Sequence, residues 1–224
     1  MGISYNPRIV TDGLILALDA GNIKSYSGSG TTWTDLSGNG KNATAQNGVG
    51  YTPSNGGGFT FDGSDDHFTI SQRETSSQFT YEAFLMPTAL AITDYMYAGT
   101  DTDLFYLRIT EGRRAFFSIT AGGEQRTLIH EDVELQNNQV YHIVSIYNGI
   151  QLKIYVNNVL VSGPVINAAM TSWGADWIGR WRSGPPEVTK YFVGDIYCLR
   201  AYNRELTAAE VQQNFNANRG RFGI

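Results

Sequence analysis

Short segments in which apolar and polar residues alternate recur along the chain, and turns rich in glycine and asparagine separate them. The clearest pair flanks Asn148-Gly149, where residues 140–147 and 151–156 both alternate with a period of two. Asn-Gly readily adopts the positive φ angles that a tight turn between antiparallel strands needs. The pattern therefore predicts a β-hairpin at this point of the chain.

The same strand-like character appears in many other short segments, and no regular alternation of strands with helices accompanies it. Such a pattern predicts two packed antiparallel sheets and does not favour a parallel α/β sheet. We expect one domain over residues 1–224, with residues 1–12 forming an N-terminal arm. The further predicted strands are residues 14–19, 59–62, 67–70, 79–86, 104–110, 115–120, 126–129, 177–181 and 191–202.

One helix is predicted near the C-terminus, over residues 207–218. Thr207-Ala-Ala-Glu210 has the spacing of a capping box, in which the threonine and glutamate side chains satisfy each other's backbone amides. Val211 and Phe215 lie one turn apart and are expected to hold the helix against the sheets. Gly220 is the expected stop.

Composition and charge exclude several classes of protein. The 224 residues are 42% hydrophobic, which is sufficient for a large core, and the net charge of -5 predicts no nucleic-acid partner. No apolar stretch approaches the roughly 18 residues of a membrane helix, so membrane insertion is not expected. Residues 1–8 have no apolar signal core, so no signal peptide is predicted. Cys198 is the single cysteine, which excludes an intrachain disulfide.

Several segments stand in the order of motifs found in one known family. They include Thr32-Trp-Thr-Asp-Leu-Ser-Gly-Asn-Gly40, Phe59-Thr-Phe-Asp-Gly-Ser-Asp-Asp66, Phe79-Thr-Tyr-Glu-Ala-Phe84, and residues 13–22, 141–161 and 193–210. Together they resemble the concanavalin A-like lectin/glucanase superfamily, in its laminin G-like branch. The resemblance implies an all-β, two-sheet antiparallel jelly-roll sandwich with one short C-terminal helix.

Two terminal segments narrow this resemblance. Residues 6–13 and 214–223 are similar to segments that bracket laminin G-like proteins of tailed bacteriophages. This likeness implies a virion structural protein, in head decoration or a tail fibre, that is made in the host cytoplasm. Its implied partners are other virion proteins and a host cell-surface glycan. A homo-oligomer stays open, although no heptad repeat indicates one.

Catalysis is not expected. Glucanases of the superfamily carry Glu-x-Asp-x-x-Glu on one strand, and this pattern is absent. In the nearest acidic cluster, residues 130–134, Glu131 and Asp132 are adjacent and would face opposite sides of a strand, so we interpret the cluster as an exposed turn. Two alternatives to a sugar-binding virion protein stay open: a purely structural subunit-contact module, and an atypical glycan hydrolase.

The candidate carbohydrate-binding residues are Trp177, Arg180, Trp181 and Arg182. If residues 175–181 form one strand, Trp177 and Trp181 share a face with the small Gly179 between them, which gives an aromatic platform about 13 Å long. Arg180 would then lie on the opposite face, and Arg180 and Arg182 would flank the platform as hydrogen-bond donors. The competing interpretation places the tryptophans in the core.

Metal and nucleophile chemistry receives little support from the sequence. No cofactor is predicted. The resemblance implies that a Ca²⁺ ion is an open alternative, because relatives bind this ion. Two Asp-rich clusters, Asp62/Asp65/Asp66 and Asp101/Asp103, offer oxygen ligands for it. Tyr197 and Cys198 stand where relatives often have an acidic pair, so one carboxylate ligand for such an ion is missing here. We expect His142 and Cys198 to be packed in the core.

Overall fold

The computed structural model describes residues 8–90, 95–99, 105–166, 168, 170, 173–182 and 189–224. These residues form two eight-stranded antiparallel sheets, one two-stranded sheet and a C-terminal helix. The strands are β1 (Leu14–Asp19), β2 (Thr32–Trp33), β3 (Ala43–Gln46), β4 (Gly50–Thr52), β5 (Gly58–Asp62), β6 (His67–Glu74), β7 (Phe79–Pro87), β8 (Tyr95–Gly99), β9 (Phe105–Ile109), β10 (Ala115–Ala121), β11 (Glu124–Ile129), β12 (Tyr141–Tyr147), β13 (Gln151–Val156), β14 (Val159–Val165), β15 (Trp173–Ile178), β16 (Arg180–Arg182), β17 (Thr189–Tyr191) and β18 (Val193–Tyr202). The helix α1 is Ala208–Phe222, and a short 3₁₀ turn is Ser54–Gly56.

The two large sheets mix strands that are distant in sequence. The first sheet has the order β14-β13-β12-β7-β18-β5-β4, with β1 also pairing with β18. The second sheet has the order β11-β10-β9-β8-β15-β6-β3-β2. This is the jelly-roll sandwich that the sequence predicts.

The hairpin at Asn148-Gly149 is confirmed, and its turn has a specific cause. Tyr147 of β12 lies opposite Leu152 of β13. The Asn148 side-chain oxygen accepts backbone hydrogen bonds from Ile150 and Gln151, at 3.0 and 2.9 Å. Gly149 has a φ of +86°, which costs glycine nothing. The side-chain hydrogen bonds and the glycine together fix the register of the pair.

Large aromatic side chains fill the space between the sheets. Phe79 of the first sheet stacks on Trp173 of the second, with ring centroids 4.4 Å apart. Trp33, Phe59 and Phe68 form a second cluster, with centroids 4.7 to 5.3 Å apart. Each fully buried ring of this kind contributes about 1.5–3 kcal/mol relative to exposure. Packing therefore holds the sheets together in a chain with no disulfide.

Helix α1 covers the outer face of the first sheet and is longer than predicted. The capping box of Thr207 and Glu210 is present. The helix continues through Gly220 and ends at Gly223, which has a φ of +69°. Phe222 stacks on Phe84 of β7 at 5.0 Å, and this contact explains the extra turn. No helix in the described part of the chain is long and apolar enough to span a bilayer.

Candidate functional site

The side of the second sheet that faces away from the core carries a continuous row of side chains, and we call this side the outer face. Successive strand residues alternate between faces, and Phe68, Leu107 and Phe117 belong to the core. Their neighbours in sequence therefore point outward. The strand pairings align, in order across the sheet, Thr44, Thr69, Trp177, Gly99, Tyr106, Ser118 and Thr127.

The two-stranded sheet β16–β17 packs on the middle of this outer face. Arg180 pairs with Tyr191, and Trp181 pairs with Lys190. Gly99 makes room for the small sheet, because a Cβ atom at this position would lie 3.3 Å from the Trp181 indole. Trp181 in turn contacts the Tyr106 ring, with centroids 6.1 Å apart. The small sheet thus forms a partial roof over the row.

Arg180 lies between two aromatic rings and a histidine. Its guanidinium carbon is 4.7 Å from the centroid of Trp177 and 6.0 Å from that of Tyr191. Such cation–π contacts attract a guanidinium to the face of the ring. The Nη1 atom of Arg180 is 3.3 Å from Nε2 of His67, and the Nδ1 atom of His67 is 2.8 Å from the Asp65 carbonyl oxygen.

The protonation of His67 follows from these contacts. Burial lowers its pKa, the hydrogen bond to the Asp65 carbonyl opposes this effect, and the Arg180 cation lowers the pKa further. The neutral ring donates from Nδ1 to Asp65 and accepts at Nε2 from Arg180. His67 therefore positions the guanidinium of Arg180 without adding a second positive charge.

The predicted platform of two indoles along one strand is wrong. Strand β15 ends at Ile178, and Gly179 has a φ of +82°. A Cβ atom on Gly179 would lie 2.4 Å from the Phe61 ring, so the glycine faces the core. The chain turns at Gly179 and brings Arg180 over the Trp177 ring. The prediction instead put Arg180 on the face of the strand opposite to Trp177. Trp177 is 8% exposed, and the Arg180 guanidinium lies over its ring.

The structure nevertheless brings the four predicted residues to one region. Trp177 and Arg180 are in direct contact, and Trp181 and Arg182 lie on β16 of the roof. His67 and Tyr191 complete the surroundings of Arg180, and neither was among the predicted site residues. The alternation of His67 and Thr69 with Phe68 and Ile70 was the available signal, because it marks a strand with one polar face.

A groove lies on the outer face beside Trp177. Its volume is about 300 Å³, and it is lined by Asn42, Thr44, Thr69, Ile70 and Ser71. Thr69 lies directly opposite Trp177 in the sheet. The lining is rich in hydroxyl and amide groups, which both donate and accept hydrogen bonds. A small polar ligand in this groove would contact hydroxyl groups beside the Trp177–Arg180 pair.

Carboxylates on the outer face do not form a catalytic pair in the described strands. Hydrolysis of a glycosidic bond uses two carboxylates about 5–9.5 Å apart. The alternation of β15 is interrupted between Ala175 and Trp177, and Asp176 at this irregularity is the carboxylate on the described strands of this face. It forms an ion pair with Arg73. The predicted exposed turn at residues 130–134 is confirmed for Glu131, whose side chain is 70% exposed beside Arg114, and is wrong for His130, which is buried.

The acidic cluster at Asp62, Asp65 and Asp66 has the donor chemistry of a hard cation site. One oxygen of each side chain lies within 4.8 Å of the others. These three residues would hold a Ca²⁺ ion. Hydrogen bonds also explain the cluster as a turn, since Asp62 accepts from the Ser64 amide at 2.7 Å and Asp66 from the Asp62 amide at 3.1 Å. The second predicted cluster, Asp101/Asp103, lies outside the described residues.

A second polar cluster is sealed beneath helix α1. Glu82 accepts hydrogen bonds from His142 at 2.8 Å, from Arg200 at 3.2 Å and from Asn214 of the helix at 2.9 Å. Burial alone would raise the pKa of Glu82, but Arg200 and these hydrogen bonds lower it. The expected burial of His142 is confirmed. Burial also raises the pKa of Cys198 to about 12, so this thiol is structural.

A family model described as the concanavalin A-like lectin/glucanases superfamily matches residues 62–212, which is more than half of the chain. The chain belongs to this superfamily. Its laminin G-like resemblance is thereby confirmed, because the matching model is of the laminin G type. The comparison with curated proteins gives no match.

Solved structures share the superfamily fold at low identity. The binding domain of botulinum neurotoxin DC, in complex with rat synaptotagmin II, matches 92% of this chain and 52% of its own, with 14% identity and a TM-score of 0.68. A Trypanosoma rangeli sialidase mutant displaying trans-sialidase activity matches 96% of this chain and 34% of its own, with 18% identity and a TM-score of 0.68. This chain thus spans about half of the toxin chain and a third of the sialidase chain. The likeness establishes the fold.

Proposed function

We propose that this protein is a non-catalytic, lectin-like domain that binds carbohydrate on the outer face of the second sheet. The observation that carries the proposal is the row that joins Thr44 and Thr69 to Trp177 beside an open polar groove. Small-molecule sites depend on a few precisely placed polar groups, and Thr44, Thr69 and Ser71 supply such groups in the groove. Membership of a lectin-like superfamily supports this choice.

The structural relatives support binding more than catalysis. One botulinum neurotoxin binding domain was solved in complex with SialylT, and another structure concerns cell entry of neurotoxin type C through two ganglioside molecules. The sialidase relative is an enzyme, but this chain matches only a third of it. The ion pair of Asp176 with Arg73 further disfavours a hydrolase. Asp176 is the carboxylate on the described strands of the outer face, and Arg73 already engages it.

We place this lectin-like protein in the virion of a tailed bacteriophage, as a head-decorating or fibre-associated component. The support is the likeness of residues 6–13 and 214–223 to segments of laminin G-like phage proteins. Mass spectrometry of purified particles tests this placement. Detection of the protein at a fixed copy number supports it, and absence from particles made in cells that express the protein contradicts it.

A glycan array combined with a turnover assay on mixed polysaccharides tests the binding function. We expect binding without turnover. Turnover would contradict the non-catalytic proposal. The absence of both binding and turnover would favour a structural module that only contacts other subunits.

Matched variants locate the binding site. Thr69→Val removes a hydroxyl from the groove, and we expect its affinity to fall by about 0.5–1.5 kcal/mol. Thr127→Val removes a hydroxyl from the far end of the same row and serves as the control. Equal effects of the two variants would contradict the groove as the site.

A further inference from the structure

Arg180 is the feature of the outer face that carbohydrate binding in general does not require. Neutral sugars need hydroxyl and amide partners, which the groove already supplies through Thr44, Thr69 and Ser71. A guanidinium held on an aromatic ring beside that groove adds a localised positive charge. Its surroundings therefore indicate which kind of sugar the face selects.

The charge of Arg180 has no counterion in the described part of the chain. Its contacts are the rings of Trp177 and Tyr191 and the His67 nitrogen. No described carboxylate forms an ion pair with it, and its Nε atom is buried without a hydrogen-bond partner among the described residues. Arg180 is half-buried, so an external anion can reach its guanidinium and form a charge-assisted hydrogen bond with it.

The neighbouring carboxylates of the described residues form no ion pair with Arg180. Asp176, on the same face, forms an ion pair with Arg73. Asp66 accepts a hydrogen bond from the Asp62 amide, and Asp65 contacts His67 through its backbone carbonyl oxygen, not through its carboxylate. His67, being neutral, orients the guanidinium through its lone pair. The intramolecular partners thus fix the position of Arg180, and none of the described ones is an anion in contact with its guanidinium.

From this arrangement we infer that the glycan recognised by the outer face carries a carboxylate, and that Arg180 binds this group. The inference rests on the proposed function and specifies its ligand class: acidic oligosaccharides such as those built from uronic or nonulosonic acids. The planar guanidinium fork matches the two oxygens of a carboxylate. The sugar ring bearing the carboxylate would lie beside Thr69, which pairs directly with Trp177 beneath Arg180.

The test compares acidic glycans with their neutral counterparts. The probes are trigalacturonic acid against galactotriose, and sialyllactose against lactose, measured by isothermal titration calorimetry. We expect at least one acidic probe to bind about tenfold more tightly than its neutral counterpart, as for a charge-assisted hydrogen-bonded pair. The preference should shrink as the salt concentration rises.

Three variants assign the preference to Arg180. Arg180→Gln should reduce the ratio of acidic to neutral affinity to near one, and Arg180→Lys should keep part of it. Arg219→Gln removes the same charge from the exposed side of helix α1 and should leave the ratio unchanged. Urea unfolding of each variant confirms that the compared proteins are folded.

The outcomes separate the inference from the function on which it rests. Equal affinity for acidic and neutral probes overturns the inference and leaves carbohydrate binding intact. A preference that survives in Arg180→Gln overturns the role of Arg180. Failure to bind any glycan on the array or any of these probes overturns the proposed function itself.

Discussion

The two large sheets are both covered on their outer faces, and they are covered in opposite ways. On the first sheet, a helix of 15 residues seals Glu82, His142 and Arg200 from water, and the opposite charges meet within 3.2 Å. On the second sheet, two strands of three residues hold Arg180 on Trp177 and leave a polar groove beside it. One face neutralises its buried charge internally, while the other presents a charge with no described counterion.

This difference separates a structural cluster from a binding site. A buried ion pair with several hydrogen bonds holds elements together, and Asn214 of the helix links the Glu82 cluster to the N-terminal arm through the Val10 amide. A positioned charge beside an open groove is suited to an external partner. Changes on the first sheet should therefore affect stability, whereas changes on the second should affect affinity.

The largest expected effect is on the sealed face. Glu82→Gln leaves Arg200 buried without its anion, and we expect a loss of about 3–5 kcal/mol in the free energy of unfolding. Urea unfolding measures this loss, and Glu131→Gln, on an exposed turn, is the control. Glycan affinity of the folded fraction should not change. A loss below about 1 kcal/mol would show that the buried network does not hold the helix.

A smaller effect is expected at the break between β15 and β16. Gly179→Ala places a methyl group against Phe61 and forces a positive φ on alanine, so we expect a loss of about 2–4 kcal/mol. Binding should weaken as well, because Arg180 follows this residue. Gly123→Ala is the control: its φ is +80°, no described atom lies within 4 Å, and we expect about 1 kcal/mol. Equal losses in the two variants would contradict the core contact of Gly179.

The smallest effect concerns pH. The lowered pKa of His67 means that the unfolded chain takes up a proton more readily than the folded one. The stability that neutral His67 contributes is present above about pH 6.5 and is lost as the pH falls through the lower folded value. The charged groups facing His67 are Arg180, Asp65 and Asp66.

Urea midpoints between pH 7 and 5 measure this contribution. The midpoint of the wild-type protein should fall more steeply than that of His67→Gln. An NMR titration that gives His67 a pKa at or above about 6.5 would contradict its assigned role as an acceptor.

Local patterns predicted much of the fold. The Asn148-Gly149 hairpin and the Thr207 capping box depend on residues close in sequence, and both are present. Strand β1 matches its predicted bounds, residues 14–19. Strands β2, β3, β4, β8 and β14 were missed, because each is short or lacks a clear alternation. The helix end was misplaced because Phe222 contacts Phe84, a residue far away in the chain.

The site was predicted in composition and not in geometry. Glycine is compatible with a strand and with a turn, so Gly179 alone did not reveal the break between Trp177 and Arg180. The contact with Phe61 that decides it is a long-range one. His67 lies 113 residues from Arg180, and only folding brings them together. Residue types can thus be read from the chain, whereas their partners depend on the sheet order.

The indole N–H resonances of the four tryptophans test the central claim most directly. Trp177 and Trp181 lie on the outer face and its roof, while Trp33 and Trp173 are buried between the sheets and serve as internal controls. Titration with the tightest-binding glycan should shift the resonances of Trp177 and Trp181 and leave those of Trp33 and Trp173 in place. Saturable binding that leaves Trp177 and Trp181 unchanged would contradict carbohydrate recognition on this face.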